Sequence, residues 1–180
     1  MIRTNRVFMA FLAATIIVLS IAPGAWTAEK VTPPANVIST NPILDIFTWY
    51  NLEFEHRIRS NSTIGLSGSY VNLSDNDDTY AQFTGFYRYY PQNDAPAGFF
   101  FGGRLGIVDV NTKSDPPAED ESTTLTAVGI DIGYGWMIGT TRNFSISVGI
   151  GGVRLFGSVD NEDTATTLPT IRFVNLGFGF

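Results

Sequence analysis

The sequence predicts an all-β fold, an eight-stranded antiparallel up-and-down β-barrel that crosses a membrane. Three observations carry that prediction. Apolar residues recur at every second position along extended segments instead of gathering in blocks, the pattern of strands with one apolar and one polar face. The chain closes on such a run, Val174, Leu176, Phe178 and Phe180, so its last residue belongs to a strand, as a sheet that must leave no open edge in lipid requires. The N-terminus, finally, has the layout of an export signal.

Arg3 and Arg6 precede an apolar stretch from Val7 to Ala22, followed by Pro23, Gly24 and mostly small residues up to Ala28. This reads as a secretory signal peptide cut after Ala28. An N-terminal membrane anchor is the alternative, although the stretch is short for a span of about 20 residues. The expected organisation is a signal peptide over residues 1–28, a short periplasmic leader over 29–35 and a barrel over 36–180.

Eight strand-like segments follow the leader: Asn36 to Phe47, Trp49 to Arg59, Thr63 to Leu73, Thr79 to Tyr90, Gly98 to Val110, Thr124 to Gly139, Phe144 to Gly157 and Thr167 to Phe180. Most exceed the ~5–6 residues usual in globular proteins. They suit a tilted crossing of about 9–11 residues with some projection beyond the bilayer. Pro42 lies inside the first segment and removes a ladder donor, so a bulge or a late strand start is expected there. The connections alternate in character. Those at Arg59 to Ser62, Pro91 to Ala97 and Gly139 to Asn143 are short and suit the periplasmic side. Those at Ser74 to Asp78, Asn111 to Thr123 and Ser158 to Thr166 are mostly longer and acidic, as surface loops would be.

The polarity of the faces separates a membrane barrel from a soluble one. In the sixth segment Val128, Ile130, Ile132, Tyr134, Trp136 and Ile138 share one face, and Gly129, Asp131, Gly133 and Gly135 the other. In the seventh, Phe144, Ile146, Val148 and Ile150 alternate with Ser145, Ser147, Gly149 and Gly151. Small residues inside and bulky ones outside suit a lipid-facing wall, whereas a soluble barrel turns its bulk inward. Tyr87, Tyr89, Tyr90, Phe99, Phe101, Trp136 and Phe144 gather at the expected periplasmic ends, with Phe178 and Phe180, as one interfacial girdle. Trp49, Tyr50, Tyr70 and Tyr80 would form the opposite belt.

Composition narrows the function classes. There is no cysteine, which excludes disulfides, thiol catalysis, zinc-thiolate sites and a lipid-modified N-terminal cysteine. The net charge of −6 argues against nucleic acid as a partner.

The signal peptide, the alternating segments and the terminal Asn175-Leu176-Gly177-Phe178-Gly179-Phe180 resemble the small eight-stranded outer-membrane barrels of Gram-negative bacteria, the OmpA/OmpX type. Leu52-Glu53-Phe54-Glu55, Phe86-Tyr87-Arg88-Tyr89-Tyr90 and Gly133-Tyr134-Gly135-Trp136 more specifically resemble an uncharacterised subgroup of these barrels. The resemblance implies an outer-membrane location among lipid and lipopolysaccharide. It also implies that Phe180, with Phe178 and Leu176 behind it, is the C-terminal signal read by the barrel assembly machinery.

With the glycine-rich faces turned inward, the lumen collects Glu53, Glu55, Arg57, Arg88, Arg104 and Asp131, an expected ion-pair network filling a barrel that leaves just enough room for side chains. A gated pore is the sharper alternative. His56 is the only histidine and shares the outward parity of Leu52, Phe54 and Ile58. A lipid-A deacylase would need a serine activated by histidine, and Ser60, at a turn, is the only serine near His56 in sequence. The likeness to such deacylases stops at the barrel, because no His-x-Ser element is present, and no catalytic activity is expected. The acidic groups Asp75, Asp77, Asp78; Asp115, Glu119, Asp120, Glu121; and Asp160, Glu162, Asp163 read as solvated loops. Divalent cations bridging them to lipopolysaccharide phosphates are the functional alternative, although no calcium-loop pattern is present. No cofactor is expected. The resulting expectation is a structural or surface-interaction role with acidic outer loops as contact surface. The alternatives are a lipid-modifying enzyme and a small solute pore.

Overall fold

In the computed structural model residues 31–73, 78–112, 121–159 and 162–180 are described. Eight antiparallel strands close on themselves in sequence order: β1 (Asn36–Thr40), β2 (Trp49–Arg59), β3 (Ser62–Leu73), β4 (Asp78–Tyr89), β5 (Gly98–Thr112), β6 (Glu121–Ile138), β7 (Phe144–Val159) and β8 (Glu162–Gly179). The start of β1, the end of β8 and the short turns lie at one end of the barrel, and the ends of β3, β5 and β7 with the starts of β4, β6 and β8 lie at the other. These are called the terminus end and the loop end. The expected signal peptide, the first two residues of the leader and the loop residues Asp75, Asp77, Asp115, Glu119, Asp120 and Asp160 fall outside the described residues.

The seam is made by β1 and β8, in register from Val37 opposite Gly179 to Thr40 opposite Leu176. Phe180 extends it. Its N–H donates to the Asn36 carbonyl at 2.9 Å, and its carbonyl accepts from the Asn36 backbone N–H at 3.1 Å and from the Asn36 side-chain amide at 3.2 Å. A terminal aromatic residue is thus fixed by backbone pairing, and no strand end is left bare there.

The first segment departs from the expected strand over Asn36 to Phe47. The strand stops at Thr40, and Pro42–Ile46 form a short helix, α1. Proline supplies no N–H to a ladder but suits the first turn of a helix, where that N–H has no partner. Asn41 caps the helix, its Oδ1 accepting from the N–H groups of Ile43 and Leu44 at 3.2 Å. The loop-end hairpins depart in the other direction. Strand β5 runs on to Thr112, β6 begins at Glu121, β7 reaches Val159 and β8 begins at Glu162, so much of the expected loop is paired sheet. The rim is therefore uneven: β1 to β4 have 5, 11, 12 and 12 residues, and β5 to β8 have 15, 18, 16 and 18.

Outward positions carry exposed apolar side chains around the wall, including Leu52, Phe54, Leu66, Phe83, Leu105, Ile107, Ile130, Ile132 and Ile150. A soluble protein would bury such a band, so this surface is built for lipid. Tyr87, Phe99, Phe101, Phe144 and Phe178 are exposed at the terminus end, with Tyr89 and Trp136 half-buried beside them. Tyr89 packs 5.3 Å from Phe101 and Trp136 4.7 Å from Tyr134, centroid to centroid. Three aromatic residues assigned to the girdles turn inward instead. Tyr90 is buried in the lumen, while Tyr80 and the indole of Trp49 line a lumenal cavity. Tyr90 and Tyr80 both share inward parity with Arg88 on β4.

Removing Phe180 deletes three seam hydrogen bonds. The truncated chain should give a smaller heat-modifiable fraction than the full chain when both are folded into lipid vesicles and run on gels with and without boiling. An undiminished folded fraction would show that closure does not need this residue.

Candidate functional site

Midway down the lumen lies a cluster of six charged side chains drawn from five strands. Arg88, on β4, is at its centre and only 1% exposed. Its Nη1 donates to Glu53 Oε1 at 2.8 Å and Glu55 Oε2 at 2.7 Å, and its Nη2 to Glu53 Oε2 at 3.0 Å and Asp131 Oδ2 at 3.3 Å. Arg104 Nη2, from β5, reaches Asp131 Oδ2 at 3.0 Å. Arg172, from β8, grips Glu53 with both terminal nitrogens, at 2.8 and 2.5 Å. Three guanidinium groups meet three carboxylates, so the cluster is neutral. Planar forks on carboxylates give the short, charge-assisted geometry that offsets desolvation of both partners.

Neutral groups complete the cluster. The hydroxyls of Thr63 and Tyr90 both donate to Glu55 Oε1 at 2.6 Å. The rings of Phe86 and Phe100 lie 3.9 and 4.9 Å from the Arg88 guanidinium carbon, close enough for cation–π attraction in a desolvated site. These two rings are an exception to a small-inside rule, and glycines make room for them. A Cβ added at Gly65 would overlap the Phe86 ring, and one at Gly133 the Phe100 ring. Gly65 is paired with Phe86 and Gly133 with Phe100 on adjacent strands. Each bulky inward side chain thus faces an absent one.

The terminus end is sealed below the cluster. Tyr90, Ala95 and Phe100 form a buried apolar group, and Ala95 is fully buried. The β4–β5 turn is tied across to the β2–β3 turn by Ala95 N–H to the Ser60 carbonyl at 2.9 Å and Tyr90 N–H to the Asn61 carbonyl at 2.8 Å. Arg142 in the β6–β7 turn pairs with Asp94 in the β4–β5 turn at 2.7 Å.

Glu53, Glu55, Arg88, Arg104 and Asp131 are brought together, and Arg57 is not. Its side chain lies nearer the sealed end, where Nη1 donates to the Ala95 carbonyl at 3.4 Å. The folded-over turn supplies a backbone acceptor before any lumenal carboxylate. Arg172 takes its place in the cluster and was missed for a specific reason. Counting back in twos from Phe180, Phe178, Leu176 and Val174 assigns Arg172 to the lipid face. The β7–β8 register, however, jumps from Ser147 opposite Asn175 to Gly149 opposite Arg172. That bulge adds one residue to β8 and reverses the parity beyond it. An arginine in an otherwise lipid-facing row was the signal that parity had slipped.

His56 is half-buried, with Nδ1 2.8 Å from Asn36 Oδ1. Ser60 is exposed at the β2–β3 turn, where its backbone carbonyl accepts from the Ala95 N–H.

Above the cluster, toward the loop end, the lumen opens into a cavity of about 520 Å³. Glu53, Arg104, Asp131 and Arg172 form its floor, and Leu44, Trp49, Val71, Tyr80 and Val153 contribute apolar wall. Beyond it Val108, Leu125, Ala127, Val153 and Leu155 pack together inside the projecting hairpins.

Fold and site define a small eight-stranded up-and-down barrel, apolar outside and closed inside by a neutral ion cluster. The chain belongs to the family described as "Protein of unknown function (DUF3575)", whose model matches residues 11–160. No curated protein matches it. Among solved structures it is similar to the N-terminal β-barrel domain of Pseudomonas aeruginosa OprF, at 12% identity over 82% of this chain and 98% of that one, with a TM-score of 0.46. It is also similar to the Yersinia pestis outer membrane protein Ail in a phospholipid bilayer nanodisc, at 14% identity over 82% and 99%, with a TM-score of 0.47.

Arg88→Met leaves Glu53 and Glu55 facing a dry lumen with too few cations. The expected loss of stability is about 3–5 kcal/mol, against about 0–1 kcal/mol for Arg142→Met at the more exposed turn. Urea unfolding of the two variants in lipid vesicles checks the ranking, and equal midpoints would contradict it.

Proposed function

We propose that this protein is a non-conducting, non-enzymatic barrel of the Gram-negative outer membrane that holds its loop-end segments outside the cell as a contact surface. One observation carries the reading. The lumen is crossed at mid-height by six mutually paired charges and sealed beneath them by Tyr90, Ala95 and Phe100. Opening a path for solute would separate buried ion pairs, each leaving an uncompensated charge at a cost of about 3–5 kcal/mol. A wall fixed this way is a rigid mount rather than a gate.

In this reading the apolar outer band sits in outer-membrane lipid, with lipopolysaccharide around the projecting β5–β8 hairpins. Leu176, Phe178 and Phe180 are what the assembly machinery engages before the seam closes. The acidic loop segments are the contact surface toward a partner, with divalent cations as bridges to lipopolysaccharide phosphates. The absence of catalysis is supported by the pairing of His56 with Asn36 on the outer face, which leaves that imidazole engaged between β2 and β1.

Planar bilayers with verified insertion should remain electrically silent, and steady unitary steps from the intact chain would overturn the plugged reading. Deletion and overexpression of the gene should leave the lipid-A profile unchanged, and loss or gain of an acyl chain tracking its dosage would overturn the non-enzymatic one.

A further inference from the structure

We propose that the loop-end cavity is a binding site for a small uncharged amphiphile, with a hydroxyl-bearing head on the ion cluster and an apolar body against the upper wall. The site goes beyond the scaffold reading, and only its route of access rests on the membrane location given there.

Size is the first argument. Eight strands leave room either for packed side chains or for one small ligand. Here the inward positions above the cluster are mostly small or short, Ser67, Ser69, Gly149 and Thr170 among them, and the space stays open at about 520 Å³. Small-molecule sites commonly fall between about 300 and 1,000 Å³, apolar with a few placed polar groups.

Unmet hydrogen bonds give the second argument and indicate the head. Asn41, Asn51, Arg104 and Asp131 all line the cavity, and each keeps a buried polar atom with no partner among the described residues: Nδ2, Nδ2, Nε and Oδ1. Asn41 is 1% exposed and Asp131 5%. Asn41 cannot simply turn its amide over, because its Oδ1 is committed to capping α1. Buried donors and acceptors left unpaired are destabilising, and these four offer three donors and one acceptor. A hydroxyl answers both kinds, accepting from an amide or guanidinium N–H and donating to Asp131. A charged head does not fit, because the six charges of the cluster already cancel and an added one would be buried without a counterpart.

Access gives the third. β1 ends at Thr40, and its pairings end with it, the last being Ser39 opposite Glu53 on β2 and Thr40 opposite Leu176 on β8. Among the described residues no strand pairs with β2 over residues 49–52 on that side. The gap is covered by α1, held to β2 by Thr40 Oγ1 to the Asn51 carbonyl at 2.6 Å and Asn41 N–H to Asn51 Oδ1 at 3.1 Å. Leu44 of α1 faces the cavity, while Ile46 and the following Phe47 are exposed outside, 79% and 59%. Tyr50 and Leu52 flank them on the apolar outer face. A molecule dissolved in the bilayer therefore meets the low side of the rim, a short apolar helix and then the cavity.

The test uses the full chain folded in phosphatidylcholine vesicles, with Trp26→Phe and Trp136→Phe so that Trp49 in the cavity wall is the reporter. The probe is ω-bromononanol, whose bromine quenches indole fluorescence at contact. Quenching should saturate, and in the cavity-filled variant Ser67→Phe the apparent Kd should rise about tenfold or more. The charged analogue ω-bromononanoate should bind about tenfold or more weakly than the alcohol. A heat-modifiable gel band is required of each variant, and Thr170→Leu replaces Ser67→Phe if the latter fails to fold. Quenching that rises only with the probe's membrane mole fraction, equally in the filled variant, would mean the cavity holds water alone and would overturn the site. Saturable binding of the carboxylate as tight as the alcohol would overturn the uncharged head. Neither result bears on conductance or on the lipid-A profile, so failure here is distinct from failure of the scaffold reading.

Discussion

The fork of Arg88 between Glu53, Glu55 and Asp131 is the interaction on which the rest of the barrel interior depends. It links β2, β4 and β6 across the lumen, and through Glu53 and Asp131 it reaches Arg172 on β8 and Arg104 on β5. In a membrane barrel the exterior gains little from burial against itself, because lipid is as apolar as the side chains it touches. Uniqueness of the inner packing has to come from somewhere else, and here it comes from polar groups whose geometry allows few substitutes. The glycines opposite Phe86 and Phe100, the hydroxyls of Thr63 and Tyr90, and the inward fold of the β4–β5 turn all adjust to that one guanidinium.

The cluster also divides the lumen into unlike halves. Below it, apolar side chains and a turn fill the space; above it, short polar side chains leave a chamber beneath the packed interior of the tall hairpins. The same charged layer is thus a barrier when viewed along the axis and a polar floor when viewed from the loop end. Both functional readings draw on this arrangement, using different atoms of Arg104 and Asp131.

The architecture was largely legible in the sequence because a period of two, carried through seven of the eight segments, survives without knowledge of tertiary contacts. What was not legible arose where that period breaks. Pro42 was visible as a disturbance, yet whether it caused a bulge or a helix turned on Asn41 acting as a cap. Arg172 was hidden by an extra residue in β8 that reverses parity only relative to β7. Arg57 obeyed parity and still left the cluster, because the turn that intercepts it folds inward through contacts with the neighbouring hairpins. Tyr80 and Tyr90 sat at strand ends, where a girdle residue and a lumenal one look alike in composition and differ only in face. The cavity could not be read at all, since it reflects a sum of small side chains over several strands.

The seam between β1 and β8 has four register pairs, as few as β1 makes with β2, against fifteen between β5 and β6. It also joins the most distant parts of the chain, with 144 residues separating the Asn36 and Phe180 that pair there. Every other junction is a hairpin, whose loop-closure entropy is small, whereas this one must hold nearly the whole barrel in curvature before its few bonds can form. Closure therefore belongs at the end of the folding reaction. By the same reasoning, amide exchange in the native state should find its lowest-energy opening along this line, with β1 and β8 parting before any hairpin does.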